Sequence, residues 1–150
     1  MPNKIKENLK QVRRRITVAA NKAGRSPKEI KLVAVSKMHS AGSIREAVAA
    51  GVTILGENKV QEAEEKVPDI GRDGFEWHLI GHLQKNKVRK AVQIFDVIHT
   101  LDSPELAHRL ARICEEEGRR QLRVLVQVDL AGEETKSGIA ETQLPMLVEA

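Results

Sequence analysis

Aromatic residues are scarce in this sequence, and tyrosine is missing altogether. Phe75, Trp77 and Phe95 are the only Phe, Trp or Tyr residues, and they make up 2% of the chain. Hydrophobic residues nevertheless make up 41% and charged residues 31%, proportions typical of a globular domain and not of a disordered chain. We therefore expect a core built from Val, Ile, Leu and Ala.

The sequence also lacks a cysteine pair, a long apolar run and a secretory signal. Cys114 is the single cysteine, which excludes an internal disulfide and fits a reducing cytoplasm. No apolar run approaches the roughly 20 residues of a membrane helix, and the basic N-terminus has no continuous apolar signal core. These absences predict a cytoplasmic protein that has no membrane partner.

Positive charge is concentrated at the N-terminus. Residues 1–31 carry ten Lys or Arg against Glu7 and Glu29, whereas acidic residues are in excess over 32–150. Such a segment can bind nucleic acid, but this one has no aromatic residue on which a base could stack. The charges flank an apolar stripe, so a solvated helix face explains them better and nucleic acid is not an expected partner.

Apolar residues follow a pattern that alternates between strands and helices. Residues from about 3 to 22 have the spacing of an amphipathic helix. Predicted strands cover 31–37, 52–56, 75–81, 96–101 and 122–130, and predicted helices follow them at 44–50, 57–67, 84–94, 103–117 and about 141–150. Ser43 is the expected cap of the helix at 44–50, and Pro68 is expected to end the helix at 57–67.

This alternation indicates a parallel sheet, either open and doubly wound or closed as a (β/α)8 barrel. No Gly-x-Gly-x-x-Gly or phosphate-loop motif follows a strand, which argues against a nucleotide-binding open sheet. Polar residues instead follow each strand, where a barrel gathers its site; they are Lys37, Glu57, Asn58, His82, Thr100, Asp102 and Asp129. A whole barrel needs about 250 residues. We therefore expect one incomplete domain over 1–150, with an N-terminal helix and about the first five βα units.

Lys37 is the residue with the most specific chemistry. It ends the first predicted strand, where a lysine is either a salt-bridged strand terminus or an amine aimed into a site. A desolvated barrel mouth favours loss of the ammonium proton, and the free amine can then form a Schiff base with an aldehyde. A structural lysine would instead have an acidic partner.

The other polar positions have simpler interpretations beside the functional ones. Gly56 allows close backbone approach to a ligand, and Asn58 either contacts that ligand or caps the next helix. Glu57 and Glu62 fit the first turn and surface of that helix. His78 and His82 lie four residues apart without a third metal ligand nearby, so a hydrogen-bonded core histidine and a site-lining histidine are expected instead.

Four segments together resemble a known family, the pyridoxal phosphate homeostasis proteins, which share the barrel of the alanine racemase N-terminal domain. The segments are VAVSK at 33–37, GENKVQE at 56–62, WHLIGHLQKNK at 77–87 and GEETKSG at 132–138. The match in order and spacing extends over nearly the whole chain, from about Ile5 onward.

The resemblance implies that Lys37 holds pyridoxal 5′-phosphate as an internal aldimine and that Asn58 lies beside the cofactor ring. It places His78, Ile80 and His82 in a segment near the cofactor. It further implies a protein that buffers the cofactor and hands it over, with apo-enzymes as expected recipients, and that is not primarily an enzyme. In this family the phosphate is held by segments that follow the fifth strand, so this chain alone is expected to retain the cofactor weakly.

Two enzymatic alternatives use the same lysine. A racemase or decarboxylase of this barrel type is the first, but an alanine-type racemase pairs its lysine with a tyrosine, and this sequence has none. A Schiff-base aldolase is the second, and it would need an acid or base beside Lys37 and would be colourless.

Overall fold

The computed structural model describes residues 4–132 and 137–150, which form an α/β structure. The helices are α1 (Lys4–Lys22), α2 (Ala41–Ala49), α3 (Val60–Ile70), α4 (Val88–Ile94), α5 (Pro104–Glu116) and α6 (Leu144–Glu149). The strands are β1 (Ala34–Val35), β2 (Ile54–Glu57), β3 (Glu76–Leu79), β4 (Val97–Leu101), β5 (Arg123–Val126), β6 (Val128–Asp129) and β7 (Ile139–Ala140). Short 3-10 turns cover Pro27–Glu29, Lys85–Lys87 and Glu141–Gln143.

The first five strands form one parallel sheet in chain order, β1-β2-β3-β4-β5. Each strand up to β4 is joined to the next by a helix, so the sheet grows in one direction as in a (β/α)8 barrel. The predicted α/β class and partial barrel are therefore confirmed. Strands β6 and β7 form a second parallel pair, and β7 is an element that the apolar pattern did not predict.

The sheet separates an apolar layer under the helices from a more polar face. Trp77 and Leu79 are fully buried in a core cluster that includes Val88 and Ala91 of α4. Side chains alternate along a strand, so Glu76 and His78 point to the opposite face. The apolar core is thus built between sheet and helices, and the other face is left to polar groups.

Several boundaries differ from the predicted ones for local reasons. The strand predicted over 31–37 pairs only at Ala34–Val35. Helix α2 starts at Ala41 because Ser40, and not Ser43, is its cap: the Ser40 hydroxyl accepts a hydrogen bond from the Ser43 amide. Helix α3 starts at Val60 and continues through Pro68 to Ile70.

The described residues include no helix that is both long enough and apolar enough to cross a membrane.

Candidate functional site

The parallel register places Lys37 and Asn58 at matching positions on adjacent strand ends. Val35 pairs with Gly56, and two further residues along each chain lead to Lys37 and Asn58. The Ser36 amide donates to the Gly56 carbonyl oxygen over 2.9 Å, which continues the ladder beyond β1. The structure therefore brings the two predicted site residues to one edge of the sheet, at the carboxyl ends where barrel sites form.

Among the described residues, neither Lys37 nor Asn58 has the side-chain partner that a structural role would require. The Lys37 side chain is exposed and makes no ion pair or hydrogen bond with any residue that the structure describes. The Asn58 side chain also has no hydrogen-bond partner within the described ranges. It does not cap α3, because Lys59 holds the cap position and no side chain makes a capping bond there. The Lys37 amino group and the Asn58 amide, both unpaired within the part of the chain that the structure describes, are thus available to a ligand.

The turn that carries Lys37 is tied to α3 on both sides. The Ser36 carbonyl oxygen accepts a hydrogen bond from Lys66 Nζ over 2.9 Å. The Met38 amide donates to Glu62 Oε2 over 3.1 Å, and Met38 has a φ of 62°, in the left-handed region that non-glycine residues rarely adopt. The backbone around Lys37 is therefore fixed while its side chain is free.

Glu57 was expected in the first turn of a helix, and this expectation is wrong. It is the last residue of β2 and is 0% exposed. Its Oε1 accepts from the Ser36 hydroxyl over 2.6 Å and from Lys66 Nζ over 2.8 Å, while Oε2 has no hydrogen-bond partner among the described residues. A carboxylate can be buried only where such bonds offset its lost hydration. In the sequence, the signal for this buried carboxylate was Lys66, which supplies the cation that pairs with Glu57.

The loop after β3 packs directly against Asn58. The Ile80 amide donates to the Glu57 carbonyl oxygen over 2.9 Å, and Thr100 Oγ1 donates to the Gly81 carbonyl oxygen over 2.8 Å. A Cβ atom on Gly81 would lie 2.1 Å from the Asn58 carbonyl oxygen. Glycine is therefore required at position 81 by the close approach of the Asn58 backbone.

Gly56 serves packing and not an open ligand cavity. A Cβ atom there would lie 2.8 Å from Val33 Cγ1 and 3.2 Å from Ile80 Cδ1. The close approach expected at Gly56 is thus made by two side chains that lie next to β1 and β3 in the chain.

The two predicted histidines lie in different environments. His78 is buried, with Nδ1 2.9 Å from His99 Nε2 and Nε2 3.0 Å from Glu76 Oε2. Arg123 donates to the other Glu76 oxygen over 2.7 Å, which completes a polar chain across β3, β4 and β5. The sequence analysis did not predict this role of His99, because His99 lies on a different strand from the two predicted histidines.

His82 lies beyond the end of β3 and is exposed. Its Nδ1 is 3.6 Å from Asp102 Oδ2 and 3.4 Å from Ser137 Oγ. His82 therefore lies among the carboxyl-end loops and does not share a strand face with His78; its expected role in lining a site stays a prediction. Residues 133–136 of the GEETKSG segment lie outside the described residues.

The pKa shifts in the polar chain follow from its contacts. Burial, with a smaller contribution from the His78 charge, lowers the pKa of His99. The hydrogen bonds from His78 and Arg123 lower the pKa of Glu76 and keep it ionised.

A cavity among the described residues lies at the other end of the strands. It has a volume of about 690 Å³ and is lined by the segments that lead into β2 and β3, such as Thr53 and Phe75, together with Arg13 of α1. Amino ends of barrel strands rarely hold a site. The side chains of Lys37 and Asn58, which have no partner among the described residues, lie instead at the carboxyl ends.

Comparison with known proteins identifies relatives of the whole described chain. The family model for "Alanine racemase, N-terminal domain" matches residues 4–150. The pyridoxal phosphate homeostasis protein of Escherichia coli K12 is 44% identical over 151 aligned positions, which cover 99% of this chain and 64% of that protein. The protein of the same name from Pseudomonas aeruginosa PAO1 is 42% identical over 146 positions, covering 97% and 63%.

Solved structures give the same relationship. PipY of Synechococcus elongatus PCC7942, with PLP bound, superposes with a TM-score of 0.79 at 41% identity and covers 96% of this chain. This chain spans 64% of the length of PipY and of the Escherichia coli relative.

The contact between Gly81 and Asn58 makes a stability prediction. Gly81→Ala should lower the free energy of unfolding by about 1–3 kcal/mol, because the added methyl overlaps a backbone oxygen that cannot rotate away. Gly42→Ala is the matched control: it lies in α2, with only an ordinary contact at 3.7 Å. Urea unfolding of both variants tests the prediction, and equal midpoints would contradict it.

The lowered pKa of His99 makes a pH prediction. The unfolded chain binds the proton more readily, so stability should fall as the pH drops below about 6.5, the ordinary histidine value. His99→Gln should reduce the change of the urea midpoint between pH 7 and 5.5. His108 is exposed, so His108→Gln should leave the pH dependence of the midpoint as in wild type. His78, which contacts His99, and Glu76 and Arg123, which continue the polar chain, are unchanged in both variants. A wild-type slope in His99→Gln would refute this assignment.

Proposed function

Because this chain belongs to the family of the alanine racemase N-terminal domain, we propose that it binds pyridoxal 5′-phosphate (PLP) through Lys37 and Asn58. It carries and buffers the cofactor and does not catalyse a strong reaction with it. The relatives at 42–44% identity are named pyridoxal phosphate homeostasis proteins, and PipY was solved with PLP bound. Both findings support PLP as the ligand of this chain.

One observation carries the assignment of the site. Lys37 and Asn58 occupy matching positions on adjacent strand ends, and both side chains lack partners among the described residues. Bound PLP would supply an aldehyde, the group with which a primary amine condenses with release of water. An exposed primary amine beside an unpaired amide fits this chemistry, because one can hold the cofactor covalently and the other can orient it.

Lys37 and Asn58 have different roles in the proposed site. Lys37 must lose its ammonium proton to act, and solvent at the exposed turn can accept that proton. Asn58 offers an amide N–H and a carbonyl oxygen, so it can hydrogen-bond a polar ring substituent. The backbone beneath both side chains is held by β2 and by the packed Gly81, which limits their movement.

A carrier role fits the side chains better than racemase chemistry. A racemase needs a second proton-transfer group opposite the lysine, and the tyrosine that alanine-type racemases use is absent from this sequence. We propose that PLP is held reversibly and passed to apo-enzymes in the cytoplasm. The lone cysteine supports the location.

Borohydride trapping tests the proposed site. Wild-type protein incubated with PLP and reduced should carry a pyridoxyl group on the peptide that contains Lys37, with a matching absorbance change. Lys37→Ala should lose at least about nine tenths of this adduct. Lys31→Ala is the matched control, since Lys31 is also exposed and lies six residues upstream, before β1.

Two results would contradict the proposal. Equal labelling of Lys31 and Lys37 would show adventitious imine chemistry on surface lysines. Conversion of an L-amino acid into its D-form by the PLP-loaded protein, lost in Lys37→Ala, would favour the racemase instead.

A further inference from the structure

The two peptide groups that flank Lys37 are both bound by charged side chains of α3. Lys66 Nζ donates to the Ser36 carbonyl oxygen over 2.9 Å, on the N-terminal side. Glu62 Oε2 accepts from the Met38 amide over 3.1 Å, on the C-terminal side. No bond of this pair touches the Lys37 side chain. The pair therefore acts on the direction in which the backbone presents that side chain.

The two clamping residues are themselves fixed. Glu62 and Lys66 lie one turn apart on α3 and form an ion pair of 3.3 Å. Lys66 also pairs with the fully buried Glu57 over 2.8 Å, and its side chain is only 14% exposed. Ser36 adds a hydroxyl bond to the same Glu57 oxygen. Charged groups held this way have few alternative rotamers, so they can fix the backbone that they contact.

The clamp acts on a turn that contains a residue in an unfavourable backbone conformation. Met38 has a φ of 62°, and its side chain is 90% exposed, so packing does not hold it there. The His39 amide donates to the Ser36 carbonyl oxygen over 3.2 Å and closes this turn, and the hydrogen bond from the Met38 amide to Glu62 ties the turn to α3. The same hydrogen bond, with Lys66 close by, lowers the pKa of Glu62, so the carboxylate remains a charged acceptor at neutral pH.

Helix α3 also begins two residues after Asn58. One helix thus carries the clamp on Lys37 in its first and second turns and follows Asn58 at its start. Movement of α3 would change the placement of both candidate site residues together.

We propose that Glu62 and Lys66 are positioning residues that fix the Lys37 turn in the orientation needed to bind a cofactor aldehyde. The inference rests on the proposed function, because it concerns the same lysine. Neither residue needs to contact the cofactor. Their effect passes through the Ser36 and Met38 peptide groups.

The test compares variants of Glu62, because loss of Lys66 would leave Glu57 buried without its cation and could unfold the protein. Glu62→Ala removes the acceptor for Met38 and leaves the Lys66–Glu57 pair intact. Glu62→Gln keeps an acceptor oxygen and should restore the hydrogen bond from the Met38 amide. Glu64→Ala is the control, since Glu64 lies on the same helix and pairs with Lys90 over 2.9 Å, away from Lys37.

Two measurements on the full chain are made for each variant. Hydrogen exchange of the Met38 amide, followed by NMR, reports the clamp without any cofactor. The rate of borohydride-trapped PLP attachment at Lys37, with urea midpoints as a check on folding, reports the consequence. In Glu62→Ala the amide should exchange faster and attachment should slow about tenfold, the factor expected for one lost hydrogen bond to a charged group. Glu62→Gln should recover most of both, and Glu64→Ala should match wild type.

The outcomes separate this inference from the proposed function. Attachment at Lys37 in Glu62→Ala at the rate of Glu64→Ala would overturn the positioning role, even with faster Met38 exchange. The positioning role would also be overturned if, in all variants, the attachment rate fell only in proportion to the fall in the urea midpoint. Loss of stability would then explain the slower attachment. Absence of selective attachment in wild type would overturn the proposed function, and the positioning role with it.

Discussion

The pairing of β1 with β2 is the constraint on which the rest of the site depends. Val35 lies opposite Gly56, so the chain leaves both strands at the same level and presents an amine and an amide side by side. A slip of one residue would turn Lys37 toward the helices. Gly56 helps to hold the register, because Val33 and Ile80 occupy the volume that a side chain would need.

Behind this pair of strand ends lies the buried ion pair between Lys66 and Glu57. Glu57 is enclosed under α3 and shares one oxygen between Ser36 and Lys66. Such an arrangement contributes little net stability, because the bonds mainly offset lost hydration. It does specify where β1, β2 and α3 lie relative to one another. On the polar face, His78 and His99 link β3 to β4 in a similar way.

The sequence predicted the architecture well, because long periodic segments such as 104–116 and the alternation of strands with helices do not depend on distant contacts. It also predicted Lys37 and Asn58 as strand-end residues, although their role as cofactor ligands stays a proposal. It could not predict that Asn58 leaves α3 uncapped or that Glu57 is buried in the sheet. Both depend on how α3 is placed in space. The short pairing of β1 and the extra strand β7 likewise follow from the neighbours and not from the apolar pattern.

We propose that Lys37 and Asn58 together form the ligand site of this chain. A crystal structure of the protein soaked with PLP would decide between this site and others. We expect electron density continuous with Lys37 Nζ and a ring substituent within hydrogen-bond distance of the Asn58 amide. Density joined to another lysine, or a cofactor at the amino ends of the strands near Arg13, would contradict it.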